Sequence, residues 1–353
     1  MSCVDRWQTQ ERRSGFIERD HGHVIYYAAH GSASKTPVLL FHGGPGDASS
    51  ESSLRYFNPE HDFVIRFDQR ACGMSRCQER FEANQTQDLM GDALAVLDAL
   101  GIESAYFFAS SWGACLALIT GIAAPSRVRG FCLRSVFMAT AAEIIAPFSK
   151  LGLARPRSPE YQRFRLELEG LTQTLDIRPY ALPAALCSDV DAVDAAMLMG
   201  RLEAALSSSD IALKCAAMRS YKAYELALLS PLNLRKFWGL DLLEAEMSEA
   251  DQRSFEAAEL ESLELFWHYM RSACFMEEGK IPKALWDLRE TWPRTEIVHG
   301  ALDQLCPLHL IENLKRLKSV RLTVLSEMGH VVTTEEEVIA ISAAYRRLTS
   351  QAR

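Results

Sequence analysis

The stretch Ala109-Ser110-Ser111-Trp112-Gly113 places a serine among small residues, between two segments of different character. The preceding run, 104–108, is short, apolar and aromatic, which is typical of a buried strand, and the following run, 114–119, suits a buried helix. A sharp turn from strand to helix needs small residues on either side of its centre, because the two elements approach closely. We therefore expect Ser111 to lie at such a turn with its Oγ exposed. The short pattern does not by itself decide whether Ser111 is catalytic.

The composition excludes several classes of protein. The chain has 353 residues, 48% of them hydrophobic and 24% charged, so it is long and apolar enough to fold around a large core. Its formal net charge of -8 argues against a broad nucleic-acid-binding surface. The first residues lead into charged ones without the apolar run typical of a secretory signal, and no stretch approaches the roughly 20 apolar residues of a membrane span. We expect a soluble, cytoplasmic protein that binds neither nucleic acid nor membrane.

The nine cysteines follow no repeated spacing. Cys72 and Cys77 are the closest pair, and they are too far apart for a CxxC metal or redox motif. This irregular set favours reduced thiols, most of them small buried side chains, and it predicts no metal site.

Short apolar runs alternate with helix-like segments before residue 140 and again after Pro293. The predicted strands are 24–27, 38–41, 63–67, 104–108, 130–133, 295–299 and 320–325. This alternation predicts an α/β fold with a mainly parallel sheet and helices on both faces. Residues 141–285 lack strand-like runs and predict an inserted helical cap, which leaves 1–140 and 286–353 as the two parts of the core.

A serine nucleophile needs a histidine that accepts its proton and an acid that orients the histidine. Asp303 follows the predicted strand 295–299, and His330 follows the predicted strand 320–325. The chain order Ser111, Asp303, His330 is the order found in α/β-hydrolases. We predict that these three residues form a catalytic triad.

The run His42-Gly43-Gly44-Pro45-Gly46 follows the predicted strand 38–41. Glycines in such a loop allow backbone N–H groups to face a substrate oxyanion. The predicted donors are the N–H of Trp112, next to the nucleophile, and that of Gly44 or Gly43. A simple tight turn would use the same residue types, but the place of the loop after this strand favours the oxyanion interpretation.

These motifs resemble those of the proline iminopeptidase (prolyl aminopeptidase) family of α/β-hydrolases. Residues 42–46 are identical to the family's HGGPG. Further similar segments are 67–75 (DQRGxGxS), 84–89 (NTTxDLV), 109–113 (GGSWG, with both leading glycines replaced), 300–307 (GRYDxxCP) and 329–330 (the end of GAGH). The resemblance covers roughly residues 15–140 and 290–345. It implies the same triad, no metal or cofactor, and a place near the active site for Cys306.

In this family, glutamates of the helical cap bind the free α-amino group of the substrate, and aromatic residues enclose the proline ring. Residues 221–225 resemble its WxxWE motif, in which Tyr221 and Tyr224 replace the tryptophans and Glu225 is kept. Residues 265–270 resemble its IENHYF motif, in which Phe266 replaces the second amine-binding glutamate and Trp267 follows. The resemblance thus implies that these five cap residues contact substrate. For the aromatic residues the alternative is packing, and for Glu225 it is an exposed helix position.

We predict a serine hydrolase that transfers an acyl group from a small molecule or short peptide to water. Cleavage of an N-terminal prolyl or related aminoacyl amide is favoured by the motifs and by Glu225. A specialised ester or amide without a free α-amine is favoured by Phe266, because an apolar side chain there suits a neutral substrate. A non-catalytic binding protein on this fold is the third alternative. The sequence does not determine the oligomeric state.

Overall fold

The computed structural model describes residues 7–149, 158–230, 234 and 247–350, with one eight-stranded sheet at its centre. The strands are β1 (Arg12–Glu18), β2 (Val24–His30), β3 (Thr36–Phe41), β4 (Asp62–Phe67), β5 (Ala105–Ser111), β6 (Val128–Val136), β7 (Thr295–Gly300) and β8 (Val320–Leu325). Their order across the sheet is β1-β2-β4-β3-β5-β6-β7-β8. The β1–β2 and β2–β4 pairs are antiparallel, and all other neighbours are parallel. This sheet confirms the predicted α/β-hydrolase fold.

Helices cover both faces of the sheet. They are α1 (Thr86–Ala99), α2 (Trp112–Ala123), α3 (Ala141–Ile145), α4 (Pro159–Leu171), α5 (Val190–Leu206), α6 (Ile211–Leu229), α7 (Glu249–Arg271), α8 (Lys280–Asp287), α9 (Leu308–Ile311) and α10 (Glu335–Thr349). Helices α3 to α8 come between β6 and β7, where the sequence predicts the cap. Because α8 packs against α2 of the core, the exact end of the cap at residue 285 stays a prediction.

Alternate residues of the central strands enter two separate apolar cores. On β3, Leu39 and Phe41 join the core that contains α1 and α2, whereas Val38 and Leu40 join the core beneath α10. Successive side chains of a strand point to opposite faces, so a strand covered on both faces needs apolar residues throughout. This requirement explains why these strands are recognisable as continuous apolar runs in the sequence.

The edge strand β1 was not among the predicted strands. Its side chains are mostly exposed, and only Phe16 and Ile17 are large and apolar within the strand. It pairs with β2 alone, from Arg12 opposite His30 to Glu18 opposite Val24. An edge strand with one lightly covered face lacks the apolar run by which the central strands were predicted.

Polar N-cap side chains define where α6 and α7, two long helices of the predicted cap, begin. Asp210 accepts the N–H of Ala212 at 2.9 Å at the start of α6. Ser248 accepts the N–H of Asp251 at 3.2 Å at the start of α7. Each cap satisfies a backbone donor that has no partner within the helix, and so stabilises that end. The two helices pack against each other and bring their facing side chains together.

The turn from β5 to α2 depends on a close approach between α2 and the end of β3. Ser111 has φ 56° and ψ -130°, a backbone conformation that residues other than glycine rarely adopt. A Cβ atom on Gly113 would overlap with the backbone carbonyl oxygens of Phe41 and His42. Glycine is therefore required two residues after the turn, as the sequence pattern predicts.

A Gly113→Ala substitution tests this close approach. The added methyl group has no space, so we expect the free energy of unfolding to fall by about 1–3 kcal/mol, the usual cost of overpacking a core. Urea denaturation followed by circular dichroism measures the change. Gly170→Ala in α4 is the matched control, since nothing lies within 4 Å of a Cβ at that position. Equal losses of stability in the two variants would contradict the assignment.

Candidate active site

Ser111 lies at the wall of a cavity of about 830 Å³ between the sheet and the helices that follow β6. Its position as the last residue of β5 and the N-cap of α2 is the one predicted from the sequence. The side chain is half-buried. A non-glycine residue at positive φ costs of order 1–3 kcal/mol, and the packing around it must hold it there.

Asp303 and His330 are joined by a buried hydrogen bond. Asp303 follows β7, is fully buried, and accepts the backbone N–H groups of Leu305 at 3.1 Å and Cys306 at 2.8 Å. Nδ1 of His330 lies 2.9 Å from Oδ2 of Asp303 and 3.0 Å from Oδ1. Burial raises the pKa of Asp303, but the charge and the hydrogen bond of His330 outweigh it and hold the pKa below its usual value. The carboxylate is therefore ionised and orients the ring of His330.

The backbone of His330 is held from two sides. Its N–H donates to the carbonyl of Leu229, the last residue of α6, at 2.7 Å. Its carbonyl accepts hydrogen bonds from the side chains of Arg134 and Ser135, both on β6. The end of a cap helix and the centre of the sheet thus fix the same loop.

His299 is a buried neighbour of Asp303 that the sequence analysis did not single out. It is the penultimate residue of β7, and its Nε2 donates to the carbonyl of Cys306 at 2.7 Å. Its Nδ1 accepts the N–H of Val136 at 3.3 Å. Burial lowers the pKa of His299, so the ring is neutral although Nε2 lies 3.8 Å from Asp303. His330 is therefore the ring that lies within hydrogen-bond distance of this carboxylate.

Cys306 lies beside the histidine–aspartate pair. Ligand atoms of Asp303, Cys306 and His330 lie within 4.8 Å of one another, and Cys306 and Ser111 both line the cavity. Burial raises the pKa of Cys306 well above its usual value, so the thiol stays protonated and is a poor nucleophile. Within the described ranges Ser111 makes no hydrogen bond to His330. Such contacts are often long before substrate binds.

The loop that follows β3 lies beside Ser111. Gly43, Gly44 and Trp112 all line the cavity. Burial lowers the pKa of His42, and the neutral ring donates from Nδ1 to the carbonyl of Gly43 at 2.9 Å and accepts the N–H of Gln69 at Nε2 at 3.0 Å. Gln69 in turn accepts the indole N–H of Trp112 at 2.8 Å. This network links the conformation of the loop to the residue after the serine.

Of the five predicted substrate contacts in the cap, Glu225 and Phe266 line the cavity. The other three, Tyr221, Tyr224 and Trp267, are at most 3% exposed and are not among the residues that line the cavity, so their contact with substrate stays a prediction. Their rings pack mainly against two phenylalanines, Phe148 and Phe164. The hydroxyl of Tyr221 still donates to Glu225 at 3.4 Å, so its contribution to the cavity is indirect.

Several charged residues of the cavity wall were not predicted, among them Lys222 and Glu259. Nζ of Lys222 lies 3.2 Å from Oε2 of Glu225 and 3.3 Å from Oε2 of Glu259. Lys222 belongs to the predicted motif, but its partner Glu259 is on α7, and no sequence pattern joins the two. Glu264, by contrast, pairs with Lys214 and Arg80 and does not line the cavity.

The chain is similar in sequence to a known family and to several curated proteins. Residues 36–337 match the family described as "alpha/beta hydrolase fold". A putative proline iminopeptidase of Mycoplasma pneumoniae is 29% identical over 326 residues, which cover 91% of this chain and 93% of the relative. The proline iminopeptidase of Arabidopsis thaliana is 26% identical over 320 residues, 90% of this chain and 74% of the relative. That of Neisseria meningitidis is 34% identical over 155 residues, 44% of this chain and 50% of the relative.

Solved structures share the fold at lower identity. A proline iminopeptidase-related protein from Thermus thermophilus superposes with a TM-score of 0.59 at 17% identity, covering 97% of this chain and 99% of the other. A hydrolase from Pseudomonas aeruginosa gives a TM-score of 0.58 at 17% identity, with 95% and 98% covered. In the described part of the chain, no helix has both the length and the apolar surface for crossing a membrane. With its sheet order and the family match over residues 36–337, the chain belongs to the α/β-hydrolase family, and the curated relatives it is similar to are proline iminopeptidases.

Proposed function

We propose that this hydrolase cleaves an amide or ester bond through an acyl-enzyme on Ser111, with His330 as general base and Asp303 as the orienting acid. The observation that carries the proposal is the buried hydrogen bond of 2.9 Å between Asp303 and His330. It lies at the same cavity as a serine at a strand-to-helix turn. This combination provides a nucleophile, a proton acceptor and a group that stabilises the resulting imidazolium.

The reaction then runs in two halves. His330 takes the proton of Ser111 as Oγ attacks the carbonyl carbon, and afterwards protonates the leaving amine or alcohol. Water next attacks the acyl-enzyme and gives a proton to His330, which returns it to Oγ as the bond to the acyl group breaks, so that the acid leaves and Ser111 is restored. Asp303 remains ionised throughout and stabilises the imidazolium form of His330.

Backbone donors beside Ser111 support an oxyanion hole. The trans peptide that joins Gly43 and Gly44 points its carbonyl and its N–H in opposite directions. Because the Gly43 carbonyl accepts from His42, the N–H of Gly44 points away from that ring. Trp112 is in the first turn of α2, where backbone N–H groups have no partner within the helix. We assign Gly44 and Trp112 as the oxyanion donors.

Two classes of substrate fit this chemistry. The names of the relatives favour an N-terminal prolyl or related aminoacyl amide, for which Glu225 would bind the amine. An ester or amide without a free α-amine is favoured by a specific observation, since Lys222 already pairs with Glu225 and the apolar Phe266 lies on the same wall. Turnover of a prolyl arylamide and of a short acyl ester distinguishes the two classes.

A fluorophosphonate probe tests the nucleophile. We expect the wild-type protein to form one adduct at Ser111, located by peptide mass spectrometry, and Ser111→Ala to form none. Cys306→Ala is the control, because a buried protonated thiol is not needed for the attack, and it should still be labelled at Ser111. An adduct on another residue, or no adduct, would exclude Ser111 as the nucleophile.

An Asp303→Asn substitution tests the orienting acid. It keeps the size of the side chain but removes its charge, so we expect kcat to fall by about 10⁴-fold, the loss that the same exchange causes in a serine protease with this triad. Steady-state hydrolysis of whichever substrate is turned over measures the loss. Asp98→Asn is the control, since that carboxylate is 67% exposed and is not among the residues that line the cavity. A loss of less than tenfold would remove Asp303 from the triad.

A further inference from the structure

An ammonium group of the protein itself occupies the acidic part of the cavity wall. Nζ of Lys222 lies within 3.3 Å of two carboxylates, those of Glu225 and Glu259. All three side chains line the cavity that contains Ser111. Two carboxylates that converge on one ammonium are the arrangement that would bind a substrate amine, and here the amine belongs to a lysine.

The second carboxylate comes from a different place than the sequence motif suggests. The resemblance expects a glutamate where this chain has Phe266. Glu259 lies about two helical turns earlier on α7, and therefore on nearly the same face of the helix. Helix α7 also lies against the oxyanion loop, because a Cβ on Gly46 would contact the backbone of Ser262. The pair of acids is thus restored at the cavity by Glu259.

The charges of this cluster lie close together and are largely shielded from water. The side chains of Lys222, Glu225 and Glu259 are only 26%, 21% and 33% exposed. Burial acts to lower the pKa of Lys222, but Glu225, Glu259 and the nearby Asp47 outweigh it and raise the pKa above its usual value. Lys222 is consequently charged at neutral pH, and its ammonium forms ion pairs with both carboxylates.

A second lysine on α6 has a similar partner outside the cavity. Lys214 pairs with Glu264 of α7 at 2.8 Å, and both of these side chains are about one-fifth exposed. Neither residue lines the cavity. Both lysines therefore join α6 to α7 by an ion pair, but only Lys222 does so where a substrate would bind. Because an ion pair between α6 and α7 also forms outside the cavity, the packing of these helices does not by itself require Lys222 to face the cavity.

We propose that Lys222 determines specificity by occupying the ammonium site formed by Glu225 and Glu259, so that the cavity favours acyl substrates without a free α-amine. A substrate ammonium must either displace Lys222 or share its two carboxylates with it, and both cost binding free energy. A neutral acyl group meets neither cost. This inference rests on the proposed role of Ser111, since the cavity is defined by that residue.

Protection of Ser111 from the fluorophosphonate probe measures this preference without requiring turnover. L-prolinamide, which has a free amine, and N-acetyl-L-prolinamide, which has none, serve as competing ligands. In the wild-type protein we expect protection by the acetylated amide at lower concentration than by prolinamide. In Lys222→Met, which keeps a long side chain but removes the charge, the concentration of prolinamide for half protection should fall at least tenfold relative to that of the acetylated amide.

Two further variants make the result specific. Lys214→Met removes the matched ion pair outside the cavity and should leave the ratio of the two protecting concentrations as in the wild type. Adding Glu259→Gln to Lys222→Met should abolish the gain for prolinamide, because one carboxylate of the freed site is then neutral.

The possible failures are distinguishable. If the ratio is the same in Lys222→Met and the wild type, or if Lys214→Met changes it equally, the assignment of Lys222 is wrong while the labelled Ser111 still stands. Absence of protection by either amide in every variant also contradicts it. If the wild-type protein is not labelled at Ser111 at all, it is the proposed function that fails.

Discussion

The close approach of α2 to the end of β3 is the constraint on which the site depends. Only a residue without a Cβ fits at Gly113, against the carbonyl groups of Phe41 and His42. This contact places the loop 42–46 next to the turn that carries Ser111. The positive φ of Ser111 is maintained because α2 is fully buried along most of its length, so the turn cannot relax without disturbing the core.

A buried carboxylate provides the second fixed point. Asp303 would be costly to bury alone, but two backbone N–H groups and the ring of His330 stabilise its charge. The loop of His330 is in turn held by the carbonyl of Leu229 at the end of α6. The same helix carries Lys222 and Glu225. One helix therefore shapes the substrate side of the cavity and also holds the backbone of the proposed general base.

In the predicted cap, residues that match the family motif at 221–225 do not all line the cavity. Tyr221 and Tyr224 stand where the resemblance implies contact with substrate, yet both rings pack inside the cap. A helix presents residues on all its sides, and only the packing of neighbouring elements decides which side faces a cavity. Phe148 and Phe164 take up one side of α6 and leave Lys222 and Glu225 at the cavity.

The sequence by itself determined seven of the eight strands described, the turn at Ser111 and the chain order of Ser111, Asp303 and His330. These features depend on local patterns, namely apolar runs, small residues at a turn and polar residues after strands. It missed the edge strand β1, which has no continuous apolar run. The tertiary structure alone decided that Glu259 meets Lys222 and that Tyr221, Tyr224 and Trp267 do not face the cavity. Those contacts join residues distant in the chain, and they follow from how α6 and α7 pack, which no local pattern encodes.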